Sequence, residues 1–229
     1  MIEQLETRYG TMFVPDTDNG QYWWLKTISA SPEHEMISFV CEMLEQMSPG
    51  IAVDVGANFG CWSLPLAAHT KVIAIEPQRC VLSALKQTLS ANPDLPITLI
   101  ECALGSEPGT ARLPDISLDN STNFGGVSID IPHSEHPSAP MYDVPMTTLD
   151  KIMERWSDET PVSFIKFDIE GSELNALKGA ERTIRRWKPV MIVEADHPLT
   201  DTNALGALIE SFGYNVEIFQ DNNFIAMPV

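Results

Sequence analysis

The sequence predicts an α/β fold: a mostly parallel sheet with right-handed helical crossovers, closed by an antiparallel hairpin. Three observations predict it. Short apolar, β-branched runs alternate with stretches of helical period, starting with IAVDV (51–55), KVIAI (71–75) and ITLIEC (97–102). The first run enters a glycine turn, VDVGANFG at 53–60, where a helix should begin. Such a turn lets a ligand approach backbone N–H groups closely. At the C-terminus, the apolar runs 214–219 and 224–229 flank four polar turn residues, Gln220-Asp221-Asn222-Asn223, which reads as a hairpin.

Each element has a local reason. Residues 9–14 have strand character, and Tyr22-Trp23-Trp24-Leu25 is an aromatic-rich stretch. Ser31 as N-cap, Pro32 at the first position and acids in the first turn predict a helix carrying Met36, Phe39, Val40, Met43, Leu44 and Met47, stopped by Pro49-Gly50. The strand at 51–56 leads to a helix over 59–69. The strand at 71–75 ends in Glu76-Pro77, and a helix with Val81, Leu82, Leu85 and Leu89 follows, closed by Asn92-Pro93. Residues 103–147, rich in glycine and proline, read as a long irregular insert with short strands at 109–113 and 144–147. A short helix at 148–156, a strand at 162–169, a helix from 172 to 187, a strand at 189–195 and a helix ended by Gly213 complete the pattern. The chain divides into an N-terminal extension and helix (1–48), a cofactor-binding half (51–102), the insert (103–147) as a substrate lid, and a second half (148–229) ending in the hairpin, all within one domain.

Composition removes several function classes. Lys+Arg total 14 against 32 Asp+Glu, a formal charge of −18, which argues against nucleic acid and anionic membrane surfaces as partners. Cys41, Cys61, Cys80 and Cys102 form no C-x-x-C pair, so they read as reduced core thiols of a cytoplasmic protein rather than zinc ligands. The first ten residues lack the basic and apolar regions of a signal peptide, and no apolar run is long enough to span a membrane. A homo-oligomer is left open.

The glycine turn discriminates among nucleotide ligands. A dinucleotide site wants G-x-G-x-x-G, whereas this turn has Gly56 and Gly60 with Ala57-Asn58-Phe59 between. Asp54, two residues before Gly56, suits a cationic amine better than a pyrophosphate. Glu76, at the tip of the second strand, suits a ribose diol. Adenosine, an amino-acid group and no phosphate describe S-adenosylmethionine.

The motifs DVGANFG (54–60), IEP (75–77), ECALG (101–105) and IKFDIEGSE (165–173) resemble the FkbM family of S-adenosylmethionine-dependent methyltransferases. The resemblance runs from about residue 50 to 196. It implies a seven-stranded class I methyltransferase (Rossmann-like) sheet with helices on both faces, and methylation of hydroxyl groups on sugars, polyketides and other secondary metabolites, so the acceptor is a small-molecule or glycan hydroxyl. It also implies that Gly56, Ala57, Asn58 and Gly60 line the methionine part with Asp54 nearby, that Glu76 holds the ribose between Pro77 and Gln78, and that Cys102 and Ala103 lie by the adenine.

Acceptor chemistry is sought at the other strand ends. Asp168 and Glu170, two residues apart at the end of the fourth strand, fall where open α/β sheets bind ligands. Asp168 and His197 are the candidate bases, in that order, and Glu170 either joins them or caps the next helix with Ser172 and Glu173. No metal is expected, because the carboxylate pair lacks evident third and fourth ligands. Lys166 is expected to pair an acid. Asn120, Asn123 and Phe124 are candidate acceptor contacts in the insert, and His133 and His136 read as solvated loop residues. Two other classes remain: a nicotinamide-dependent oxidoreductase, disfavoured by the glycine spacing and Asp54, and a non-catalytic cofactor-binding module.

Overall fold

The computed structural model describes residues 1–156, 160–195, 197–220 and 223–229. The chain opens with an antiparallel hairpin, β1 (Ile2–Thr7) and β2 (Gly10–Pro15), then α1 (Tyr22–Ile28) and α2 (His34–Gln46). The central run is β3 (Ile51–Val55), α3 (Ser63–Ala67), β4 (Lys71–Ile75), α4 (Arg79–Ala91) and β5 (Ile97–Ile100). After the insert come α5 (Leu149–Met153), β9 (Val162–Phe167), α6 (Glu173–Lys178), α7 (Glu181–Trp187), β10 (Val190–Val193), α8 (Thr202–Ser211), β11 (Tyr214–Ile218) and β12 (Phe224–Pro228).

Seven strands form one sheet in the order β11-β12-β10-β9-β3-β4-β5. Pairings from β5 to β10 are parallel, and β12 runs antiparallel to both its neighbours. Every residue of β3, β9 and β10 is buried, which is why these strands read as continuous apolar runs rather than alternating ones. Their side chains still divide by face. Ile51, Val53 and Val55 pack with α5 to α8, whereas Ala52, Phe164 and Ile192 pack with Met36, Ile37, Val40 and Leu44 of α2. Helices therefore cover both faces, as expected. The terminal hairpin is present, with Tyr214 opposite Pro228 and Ile218 opposite Phe224. Its turn residues Asp221 and Asn222 lie outside the described residues.

Several boundaries differ from the sequence reading, each for a local reason. α2 starts at His34, and Ser31 caps a preceding turn by accepting the Glu33 N–H at 3.2 Å. The expected helix at 59–69 shrinks to 63–67, because Asn58 (φ 48°) and Gly60 (φ 97°) are left-handed. The helix expected over 172–187 breaks in two at Gly179, where a Cβ would lie 2.0 Å from the Gly105 carbonyl oxygen. The third strand ends at Ile100, and Ala103–Leu104 leaves for a different sheet as β6. The hairpin partner β1 was not anticipated.

The insert is more ordered than its composition suggests. β6 (Ala103–Leu104), β7 (Gly109–Pro114) and β8 (Met141–Thr147) form a three-stranded sheet in the order β6-β8-β7. Residues 115–140 are irregular but anchored. Thr122 and Phe124 are fully buried, Asp18 Oδ2 accepts the Phe124 N–H, and Gln78 Nε2 donates to the Phe124 carbonyl at 3.0 Å. Among the described residues, no helix is long and apolar enough to cross a membrane.

Candidate active site

The sheet order reverses direction between β3 and β9, and the C-terminal ends of adjacent strands there open a crevice, the usual ligand position in such sheets. A cavity of about 280 Å³ occupies it. Its floor is the turn after β3. Gly56 (φ 90°) and Ala57 both donate their N–H to the Ile75 carbonyl at 3.0 Å. A Cβ on Gly56 would lie 1.8 Å from the Asp168 carbonyl oxygen. Glycine is therefore required here by the close approach of two strand ends as well as by φ.

Glu76 is buried beside this turn. Its Oε2 accepts the Asn58 N–H at 2.9 Å and its Oε1 accepts the Gln78 N–H at 2.8 Å. Burial pushes its pKa up to about 7, with the two backbone donors opposing. Each oxygen keeps a second lone pair for a ligand hydroxyl. Asn58 Oδ1 is buried without a partner among the described residues.

The opposite wall comes from β9. Lys166 is 2% exposed, is salt-bridged to Asp168, lies 3.9 Å from Glu33 Oε1 and sits 5.2 Å from the Trp62 ring centroid. Burial disfavours its charge, but Asp168, Glu33 and Asp54 together raise its pKa. Glu170 adopts φ 56°, its N–H donates to Glu194 Oε2 at 3.3 Å, and its carbonyl accepts from Ser128 Oγ at 2.7 Å. Glu173 Oε1 reaches back to the Ile169 and Gly171 N–H groups, so Glu173 rather than Glu170 ties down the start of α6. Glu194 is pushed up to about 10, first by burial and then by the charges of Asp168, Glu170 and Glu173. Asp168, Glu170 and Glu194 bring oxygens within 4.8 Å of one another. Glu194 is thus the third carboxylate that the sequence did not assign to this pair.

Most of the expected site residues meet at this cavity. Gly56, Ala57, Asn58, Glu76, Pro77, Gln78, Cys102, Ala103, Asp168 and Glu170 line it. Three do not. Asp54 is fully buried behind the wall, where its Oδ2 accepts the Ser63 hydroxyl at 2.5 Å. That position anchors the start of α3, and burial raises its pKa. Gly60 lies under α3, where a Cβ would meet Leu64 Cδ1 at 3.0 Å. His197 stands behind Glu170, its Nε2 3.7 Å from Glu170 Oε2 and 3.5 Å from Ser128 Oγ, while Nδ1 accepts the Leu199 N–H at 3.2 Å. In the insert, Asn123 lines the cavity, whereas Phe124 is core against Phe59 and Asn120 is exposed. Sequence reasoning missed Gln21, Glu33, Trp62, Val127 and Ile129 on the cavity wall. Except for Trp62, which closely follows the glycine turn, they come from distant segments that nothing local marks.

Among the described residues the cavity wall carries four carboxylates, Glu33, Glu76, Asp168 and Glu170, against one cationic side chain, Lys166, which Asp168, Glu33 and Asp54 already engage. That charge pattern repels phosphates and suits a cationic nucleoside. The seven-stranded sheet with its reversed penultimate position and this crevice define a class I methyltransferase.

The comparisons with known proteins agree. The methyltransferase FkbM domain model matches residues 54–216. Methyltransferase sdnD of Sordaria araneosa is 26% identical over 196 residues, which cover 72% of this chain and 73% of that protein. The crystal structure of the methyltransferase FkbM from Methylobacillus flagellatus KT is 26% identical with a TM-score of 0.57, covering 79% of this chain and 44% of that one; the chain thus spans less than half of that longer protein. The fold, at 9% identity and a TM-score of 0.52, is also that of the O-methyltransferase TomG from Streptomyces achromogenes, solved with S-adenosylmethionine, with 93% and 87% of the two chains covered. The chain belongs to the FkbM methyltransferase family, and its methyl donor is S-adenosylmethionine. The acidic wall, the Glu76 carboxylate and the unpartnered Asn58 Oδ1 fit a ligand with a sulfonium, an ammonium and a ribose diol.

Proposed function

We propose that the protein transfers the methyl group to a hydroxyl of a small molecule or glycan, a sugar or secondary metabolite. The observation that supports this reading is the acidic cavity at the β3/β9 junction, with Asp168 lining it just after β9. Glu76 holds the ribose diol by its remaining lone pairs. Gly56, Ala57 and Asn58 hold the methionine part, and Asn58 Oδ1 accepts from its amine. Cys102, Ala103 and the apolar Leu113, Val127 and Ile129 flank the adenine. Asp54 and Gly60 act one layer back: they hold the turn that makes these contacts.

The bound donor supplies a methyl already activated by the sulfonium charge. The chain's task is to place the acceptor oxygen in line, keep water out and take one proton. Asp168 is the proposed base. Its salt bridge to Lys166 holds the carboxylate in place at the end of β9. Glu170, backed by His197, is the second carboxylate within reach of the acceptor's proton. Residues 115–143 close the acceptor side, and Asn123 contributes to specificity.

The test is turnover with methyl-labelled S-adenosylmethionine and a panel of hydroxyl-bearing glycosides and polyketides. Label should appear on oxygen, and Asp168→Asn should lower kcat by about 10²-fold or more. Turnover near wild type in that variant would remove Asp168 as the base. Label on nitrogen alone would overturn the choice of acceptor.

A further inference from the structure

His133, Glu135 and His136 form a second constellation, away from the cavity wall and unused by the mechanism above. One ligand atom from each lies within 4.8 Å of the other two. Two imidazoles and a carboxylate are the donor set of an open zinc site, in which water takes the fourth position. The turn that carries them is closed by the His136 N–H donating to the His133 carbonyl at 3.1 Å, which brings the two rings to 5.5 Å between centroids.

Two independent observations make this more than a chance grouping. First, His136 Nε2 is buried with no partner among the described residues. A buried imidazole nitrogen is costly to leave unpartnered, and a metal ion is the partner that the adjacent ring and carboxylate prepare. Second, the carboxylate is oriented from behind: Thr122 Oγ1 donates to Glu135 Oε2 at 2.6 Å, and Thr122 is fully buried. Metal ligands are commonly held by such outer partners.

We infer that His133, Glu135 and His136 bind a divalent transition-metal ion, zinc by its donor set, as a clip within the insert. Through Glu135 and Thr122 the ion joins the 133–136 turn to the segment that carries Asn123, Gly125, Val127 and Ile129 to the cavity wall. Its role is to fix that wall. The inference does not depend on the identity of the methyl acceptor.

The experiment uses the full chain without an affinity tag, dialysed against a chelator, then titrated with Zn²⁺ by calorimetry and with Co²⁺ by absorption. One ion per chain should bind with a dissociation constant below about 10 µM, with visible cobalt bands and no thiolate charge-transfer band. His133→Ala and His136→Ala should each weaken binding about 100-fold or more, with the far-ultraviolet circular dichroism unchanged. Thr122→Val should weaken it about tenfold, and Thr122→Ser should restore it. If an alanine variant fails to fold, His136→Gln carries the comparison. No stoichiometric uptake, equal affinity in the histidine variants, or a sulfur-to-cobalt band would each overturn the inference. S-adenosylhomocysteine affinity of the chelated protein, measured in parallel, reports on the methyltransferase reading separately.

Discussion

The two sides of the crevice solve the same problem differently. At the β3/β4 side, Glu76 is buried, but both its oxygens accept backbone N–H groups, and its pKa rises only to about 7. At the β9/β10 side, Asp168, Glu170 and Glu173 crowd Glu194, which rises to about 10 with the buried Lys166 only partly opposing. The first side is a finished backbone cradle. The second crowds carboxyl groups together, so burial and mutual repulsion favour the protonated form of Glu194.

The largest effect should come from the residue that joins the two sides. Gly56→Ala forces a Cβ to 1.8 Å from the Asp168 carbonyl at φ 90°. It should cost at least about 3 kcal/mol in urea unfolding and abolish cofactor binding. A stable variant with unchanged affinity would mean that the strand ends are not rigidly coupled.

Lys166→Met tests the charged side next. Removing one partner of a buried pair typically costs about 3–5 kcal/mol; Asp168 is 30% exposed, so the lower end is expected. Adding Asp168→Asn should recover part of the loss, a coupling readable by a double-mutant cycle. Additive losses would show that the pair is not a unit.

Glu76 separates support from recognition. Glu76→Ala leaves two backbone donors without their acceptor and should cost about 1–3 kcal/mol as well as cofactor affinity. Glu76→Gln keeps an acceptor, so it should preserve more stability while still weakening the cofactor. Equal cofactor affinity in wild type and Glu76→Gln would remove the charge from the recognition account.

The smallest effect is in pH dependence. Glu76 and Glu194 have folded pKa values raised from the ordinary 4.5 to about 7 and about 10. The folded state therefore binds more protons than the unfolded chain between 4.5 and those values. Their contribution is fully present below 4.5, declines as pH rises, and is lost above about 7 for Glu76 and about 10 for Glu194. Glu194→Gln should flatten the decline between pH 7 and 9 and raise stability at pH 8 relative to wild type. An unchanged slope in thermal unfolding would remove Glu194 as its source.

What was legible in the sequence follows the same division. The cradle is local: Gly56 to Asn58, Glu76 and Gln78 lie on short turns after apolar strands, so Gly56 and Glu76 are legible from their positions and the family resemblance marks the others. The central strands β3, β9 and β10 are likewise written in runs of buried residues, and the terminal hairpin in two apolar runs around polar turn residues. The charged side is assembled at long range. Glu33 reads as an ordinary first-turn acid, yet its carboxylate accepts from Trp62 Nε1 at 3.0 Å and approaches Lys166. Glu194 joins Asp168 only because β10 pairs β9 in parallel, with Val193 beside Phe167. Asp54 misled by proximity: it adjoins the glycine turn in sequence, but its side chain points into the protein toward Ser63. His133 and His136 read as loop histidines because burial of a loop depends on Thr122 and Phe124 docking against residues 17 to 20, which no local pattern encodes.

The most direct test of the cradle is a crystal structure of the S-adenosylhomocysteine complex. The account predicts both ribose hydroxyls on Glu76, the amino-acid end at Gly56 to Asn58 and the adenine beside Cys102 and Ala103. A nucleoside bound elsewhere, or bound here without contact to Glu76, would contradict it.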